Sequence, residues 1–141
     1  GIDPQNVEVL INYGSALGVL ARYGEAEHLL LRAVAIDPNS VAVRASVGIL
    51  SFRRGAYAAA ELELRWVCEQ DRESARAFYY LGETLNRLGR FDEALIALER
   101  ATVLQPRNSR AFYTLGHLYD RKHMTEEAAL MYRQARALQR K

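Results

Sequence analysis

The chain has 141 residues, of which 50% are hydrophobic and 26% are charged, with a net charge of +2 and a single cysteine, Cys68. This composition is typical of a globular domain, and the net charge is too small to imply, by itself, binding to nucleic acid or to an anionic membrane. One cysteine excludes an internal disulfide and a cysteine-based metal cluster, and no apolar run approaches the roughly 18 residues of a membrane span.

The first residues, 1–6, do not begin a folded unit of their own. Ile2-Asp3-Pro4 matches Ile36-Asp37-Pro38, which lies 34 residues further along the chain. We therefore expect the chain to open on the tail of a preceding repeat and to be a slice of a longer array.

The first full unit, 7–40, carries the pattern of two helices. Apolar residues at helical spacing predict one helix over about 7–20 and a second over about 23–36. Pro38 ends the second helix because proline cannot continue it, and Ser40 suits the N-cap of the next helix.

Three further units, 41–74, 75–108 and 109–141, follow the same plan. The unit at 75–108 is the most regular. The unit at 41–74 is the least regular, since Arg72 replaces the expected proline and Gln70 replaces an isoleucine or leucine. We expect the junction after this unit to be the loosest.

Glycine and alanine share one period of 34 residues. They return four times each, at Gly14, Gly48, Gly82 and Gly116 and at Ala26, Ala60, Ala94 and Ala128. A fixed period of this length is typical of a solenoid of stacked repeats. Because glycine inside a helix is unfavourable by roughly 1 kcal/mol relative to alanine, its regular return predicts a close crossing of two helices at these positions.

The repeated pattern resembles the tetratricopeptide repeat, a 34-residue helix–turn–helix unit. The unit at 75–108 carries it at Phe78, Leu81, Gly82, Leu85, Ala94, Leu98, Ala101 and Pro106. The resemblance covers essentially the whole chain and departs from the family at Arg44, where tryptophan is frequent, and at Arg72. It implies an all-α fold, a right-handed α-α superhelical solenoid of four units in a single domain, 1–141.

In this family, the first helix of each unit lines a concave groove that holds a peptide or a partner segment. Carried over to this sequence, the groove has a small, apolar N-terminal part and a C-terminal part rich in tyrosine and arginine, two residue types that often anchor binding. Thr114 also falls on a groove position. The predicted partner-binding residues are Asn12, Ile49, Phe52, Arg53, Arg76, Tyr79, Tyr80, Glu83, Asn86, Arg87, Arg110, Tyr113, His117, Asp120 and Arg121.

The expected ligand is an extended or helical segment with acidic and apolar side chains. The alternative is that the tyrosines pack between neighbouring helices and that the arginines form a solvated face. We favour binding because the groove positions vary between units, whereas the core positions do not.

Trp66 stands where the other units have arginine or glutamine, at Arg32, Arg100 and Gln134. One interpretation is an exposed tryptophan on the outer face, which would contact a partner or a second copy of the chain. The alternative, to which we give equal weight, is local shielding against Arg65 or a neighbouring helix.

Two histidines are interpreted through their neighbours. His117 shares a helix face with Tyr113 and Asp120, which predicts a hydrogen-bonding cluster in the groove rather than a metal or acid–base site. His123 stands where Gly55 and the equivalent glycine of the next unit occur, and we expect it to be a tolerated turn variant.

Catalytic motifs are missing from the sequence. It contains no nucleotide-binding glycine loop, no zinc-protease pattern and no nucleophile elbow. We expect no catalytic residues, no cofactor and no metal, and therefore no enzyme confined to these residues.

The sequence favours a protein-interaction scaffold that binds a protein or peptide. The alternative is a regulatory or substrate-recruiting module of a larger enzyme or of a secretion or assembly complex. An RNA-reading solenoid is disfavoured because no paired code positions repeat, so no nucleic acid is expected. We also expect self-association through the open repeat ends, no direct membrane insertion, and the cytoplasm in preference to the periplasm.

Overall fold

The computed structural model describes residues 6–140, and its helix starts repeat with the period of the sequence. Four N-cap side chains accept the backbone N–H three residues further on, with donor–acceptor distances of 3.1–3.2 Å, at Asn6, Ser40, Ser74 and Asn108. Each cap satisfies an N–H that the helix itself leaves unpaired, and so fixes where the helix begins. The predicted tail at Ile2-Asp3-Pro4 lies outside the described residues.

Eight α-helices form the regular structure of residues 6–140. They are α1 (Val7–Val19), α2 (Tyr23–Ile36), α3 (Val41–Arg53), α4 (Tyr57–Gln70), α5 (Ala75–Arg87), α6 (Phe91–Leu104), α7 (Ser109–Arg121) and α8 (Thr125–Gln139). The predicted helices of the first repeat agree with α1 and α2 to within one residue, and the all-α prediction is confirmed. Within the same described range, no helix is both long and apolar enough to cross a bilayer.

The described helices form two compact units, which divide between Arg72 and Glu73. In the first unit, α1 packs on α2, α3 packs on α4, and α3 also contacts α1 and α2. In the second unit, α5 packs on α6, α7 packs on α8, and α6 contacts α7. The division falls at Arg72, where the sequence departs from the repeat pattern.

The core of the first unit lies among α1, α2 and α3. Two buried clusters form it, one of Leu10, Ala33 and Val43 and the other of Ala26, Leu30 and Leu50. Val47 on α3 packs against both clusters. One apolar face of α3 therefore covers the apolar surface of the preceding helix pair, α1 and α2. A single repeat cannot bury this surface alone.

In each helix pair, a glycine of the first helix lies where the two helices approach closely. A Cβ atom on Gly82 would lie 2.5 Å from Cγ of Leu98 and 3.3 Å from its backbone nitrogen. Equivalent approaches of 2.5–2.8 Å join the pairs Gly14–Leu30, Gly48–Leu64 and Gly116–Tyr132. These contacts confirm the close crossing that the glycine period predicts.

The turn inside each pair has the same backbone geometry. Ala21, Gly55, Gly89 and His123 have positive φ angles of 61°, 81°, 80° and 61°. In the last turn, His123 N donates to Asp120 O at 3.0 Å and Met124 N donates to Tyr119 O at 2.9 Å. These are the two hydrogen bonds of a Schellman C-cap. The interpretation of His123 as a turn variant is confirmed, since it occupies the left-handed region that glycine adopts without strain.

Replacing His123 with glycine is expected to raise the free energy of unfolding by about 0.5–1 kcal/mol, because the left-handed backbone is strained for a residue with a Cβ atom. Urea denaturation measures the change. The matched control is Gly89→Ala, which introduces the same strain in the preceding turn and should lower the stability by a similar amount. A less stable His123→Gly protein would contradict the assignment of strain to this position.

Candidate functional site

The polar residues predicted for the second unit lie on α5 and α7, and a hydrogen bond joins the two helices. Thr114 Oγ1 on α7 donates to Glu83 Oε2 on α5 at 2.8 Å. We call the face around this contact the α5–α7 wall. It consists of Arg76, Tyr79, Tyr80, Glu83, Asn86 and Arg87 on α5 and of Arg110, Tyr113, Thr114, His117 and Asp120 on α7.

Glu83 is the polar centre of the α5–α7 wall. Its half-buried carboxylate accepts hydrogen bonds from Thr114 and from the phenol of Tyr79. Burial raises the pKa of the Glu83 carboxyl, while the two hydrogen bonds and the charges of Arg87 and Arg110 oppose that rise. Burial, together with the neighbouring Glu83, raises the pKa of the Tyr79 phenol, so Tyr79 remains a hydrogen-bond donor.

Two arginines give the wall a positively charged edge. Arg76 and Arg110 are exposed, and within residues 6–140 neither guanidinium forms a hydrogen bond or an ion pair. Both lie in the first turns of their helices, and those turns hold no acidic residue. This edge can therefore offer both guanidinium groups to an anionic group from outside.

An aromatic cluster covers the end of the wall next to α8. The ring centroids of Tyr113, His117 and Tyr132 lie 4.6–5.6 Å apart, with the rings tilted edge to face. Tyr132 Oη donates to Asp120 Oδ2 at 2.9 Å and lies 3.2 Å from His117 Nδ1. Burial, followed by the hydrogen bond to Asp120, raises the pKa of the Tyr132 phenol to about 12, which keeps it protonated as a donor.

Tyr132 is the member of this cluster that the sequence analysis did not assign to the site. It occupies the position that Leu30, Leu64 and Leu98 hold in the other repeats, opposite Gly116. The change from leucine to tyrosine at a core position was the available signal, because the added hydroxyl must reach a polar partner. Among residues 6–140, no three side chains of the metal-ligating types come together.

Arg121, unlike Arg76 and Arg110, packs against an aromatic ring of α6. Its guanidinium carbon lies 3.9 Å from the ring centroid of Phe91 at the start of α6. Together with Arg90 and Lys122 it lines an open cavity of about 480 Å³ beside the α5–α6 turn. The contact with an aromatic face engages Arg121 at the end of α7, so we do not include it in the wall.

In the first unit, one predicted binding residue requires correction. Ile49 is 4% exposed and lines a narrow crevice with Gly14 and Gly18, so it packs in the core and offers no surface to a partner. The small side chains of α1 let α3 approach here, and that approach covers Ile49.

The other predicted residues of the first unit remain accessible in different degrees. Asn12 is exposed, and Arg53 is half-buried near Gly18. Phe52 is half-buried, with its ring centroid 5.7 Å from that of Tyr57.

Trp66 is half-buried, which agrees with local shielding, one of the two interpretations that had equal weight. The guanidinium carbon of Arg44 lies 6.0 Å from its ring centroid, and Arg44 is itself held by Glu63 at 3.0 Å and by the carbonyl oxygen of Pro38 at 2.9 Å. Arg44 on α3 therefore shields part of the indole. Leu62, one helical turn before Trp66, is 74% exposed.

The chain is similar to a known family model and to solved structures of helical-repeat proteins. Residues 75–118 match a family model described as tetratricopeptide repeat. No curated protein sequence matches the chain. Among solved structures, a crystal structure of MamA is 26% identical with a TM-score of 0.82, and the match covers 97% of this chain and 80% of that one.

Two further MamA structures agree with the first. A structure of MamA AMB-1 is 27% identical with a TM-score of 0.76, over 95% of this chain and 73% of that one. MamA from Desulfovibrio magneticus RS-1, from residue 41 to its end, is 24% identical with a TM-score of 0.83, over 96% and 77%, and at this identity it supports the fold alone.

These findings define the class as an all-α solenoid of helical repeats, as predicted. The match of residues 75–118 to the tetratricopeptide-repeat model confirms the resemblance drawn from the motifs of that segment. Tetratricopeptide repeats and a MamA-like fold support the general interpretation as a protein-interaction scaffold. Proteins of this class are typically non-catalytic.

Proposed function

We propose that this chain is a scaffold whose α5–α7 wall binds a peptide or partner segment carrying acidic and apolar side chains. The observation that carries the proposal is the pair of exposed guanidinium groups, Arg76 and Arg110, which have no hydrogen-bonded or ion-paired partner in residues 6–140. They lie on the same face as Tyr113, which is 54% exposed, and half-buried Tyr79.

Each part of the wall suits one part of such a ligand. A guanidinium group binds a carboxylate through two parallel hydrogen bonds, which a solvated arginine can still form. The rings of Tyr79, Tyr80 and Tyr113 offer rigid apolar surface that loses little conformational entropy on binding. The half-buried amide of Asn86 can both donate to and accept from a peptide backbone.

The proposed scaffold uses no catalytic group and no cofactor, and two copies of it associate through their terminal repeats. Tyr13 on α1 supports this association, since it is 51% exposed whereas its equivalent Leu115 on α7 is 1% exposed. The proposed compartment is the cytoplasm in preference to the periplasm. The buried free thiol of Cys68 requires no oxidising environment.

Arg110→Gln is expected to weaken the binding of a capped peptide of alternating glutamate and leucine by about tenfold, because one charge-assisted hydrogen bond is lost. Binding to the unmodified chain should weaken as salt is added, since exposed charges are screened. Fluorescence anisotropy at low and high salt measures both effects.

The matched control is Arg107→Gln, which removes the same charge from an exposed position in the turn between α6 and α7. It should leave the affinity nearly unchanged. Equal affinities for the unmodified chain and both variants, with no dependence on salt, would show that the arginines do not contribute to binding.

A further inference from the structure

We infer that Glu83 sets the charge preference of the α5–α7 wall, as a fixed internal carboxylate that competes with ligand carboxylates for Arg87 and Arg110. This inference rests on the proposed function and concerns how binding at the same wall is regulated. Loss of the negative charge at Glu83, by protonation or by substitution, strengthens the binding of acidic segments.

The carboxylate of Glu83 is held in place from two helices. Thr114 on α7 donates to it at 2.8 Å, and Tyr79 donates to it from one turn earlier on α5. A side chain that is half-buried and bonded on both sides cannot turn away when a ligand arrives. Its charge therefore stays in the wall, beside the arginines, whether or not a ligand is bound.

Charged groups reach Glu83 from both helices of the wall. Arg87 acts from α5 and Arg110 acts from α7. The α6 residue that packs against the neighbouring Gly82 is Leu98, which is uncharged, and Tyr79 is neutral because its pKa is raised. An incoming carboxylate must therefore share these two arginines with Glu83.

The direction of the pH effect follows from the burial of Glu83. Burial raises the pKa of this carboxyl, so a larger fraction is protonated in mildly acidic solution than for an exposed glutamate. Protonation removes the competing charge and leaves both arginines cationic. The affinity for an acidic ligand should then rise as the pH falls, until the carboxylates of the ligand are themselves protonated.

The test measures the affinity of the capped glutamate–leucine peptide between about pH 7.5 and about pH 5.5 for the unmodified chain and for Glu83→Gln. At the upper pH, Glu83→Gln should bind about threefold to tenfold more tightly, since it removes one nearby charge and keeps the amide available for hydrogen bonds. The unmodified chain should approach the affinity of Glu83→Gln as the pH falls, and Glu83→Gln should change little.

Two controls separate this effect from other charges. Glu126→Gln removes one negative charge from an exposed position at the start of α8 and should not tighten binding at the upper pH. Placing His117→Gln in both backgrounds removes the histidine from the wall, and the difference between the backgrounds should persist.

The outcomes distinguish the two levels of the account. Salt-sensitive binding by the unmodified chain, with Glu83→Gln binding no more tightly, overturns this inference and leaves the proposed function standing. Absence of binding by every variant overturns the proposed function and this inference together. Equal tightening by Glu126→Gln would assign the effect to net charge and overturn the role of Glu83.

Discussion

Gly82→Leu is expected to lower the free energy of unfolding by about 3 kcal/mol or more, the upper part of the range for overpacked cores. The first added carbon would already lie 2.5 Å from Cγ of Leu98, and the backbone nitrogen of Leu98 lies 3.3 Å away, so rotation of the leucine side chain alone cannot make room. Helices α5 and α6 must separate, and the apolar faces that they bury against each other become partly exposed. Thermal and urea unfolding measure the loss.

Gly24→Leu is the matched control for this substitution. Gly24 also lies in a helix, α2, but apart from its chain neighbours and the backbone of its own helix, no atom lies within 4 Å of a Cβ built there. Leucine should be neutral or stabilising at this position, because it favours the helix over glycine by up to roughly 1 kcal/mol. An unchanged unfolding midpoint for Gly82→Leu would contradict the close crossing of α5 and α6.

Leu98→Ala should destabilise the chain by about 2–5 kcal/mol, the range for removing a fully buried leucine. Its side chain is 0% exposed and fills the space over Gly82. The effect combines the lost burial of the leucine with a cavity that two packed helices can close only in part. Urea denaturation with a fixed m-value gives the change in unfolding free energy.

Ile96→Ala provides the control on the same helix, since Ile96 is 69% exposed and its loss should change stability by no more than about 0.5 kcal/mol. The double variant Gly82→Ala with Leu98→Ala tests the contact itself. The methyl group added at Gly82 would enter the space that Leu98 leaves, so the double variant should be more stable than the sum of the single effects predicts. Strict additivity would show that the two positions do not share one packing contact.

The repeat plan was predictable because its determinants are local and recur. The caps at Ser40 and Ser74, the turn glycines and the crossing glycines each act within one helix pair, so a single period records all of them. The sequence departures at Arg72 and His123 also had clear structural counterparts, a division between compact units and a left-handed turn residue.

The candidate site was less predictable because its details depend on contacts between repeats. Ile49 fell on a groove position, yet the depth to which α3 packs beside α1 decides its exposure. Arg44 was recognised only as a departure from the family, although it shields Trp66. The hydrogen bond from Thr114 to Glu83 joins residues in successive repeats, and neither residue type alone indicates such a pairing.

In every repeat, the first helix begins with a side-chain cap and ends in a Schellman turn. This recurrence has a consequence for folding kinetics. Each helical hairpin contains its own start and stop signals, and the crossing glycine and the residue that covers it are 16 positions apart, as at Gly82 and Leu98. Contacts of such short sequence separation give a low contact order, so folding can nucleate in any one hairpin and spread to its neighbours.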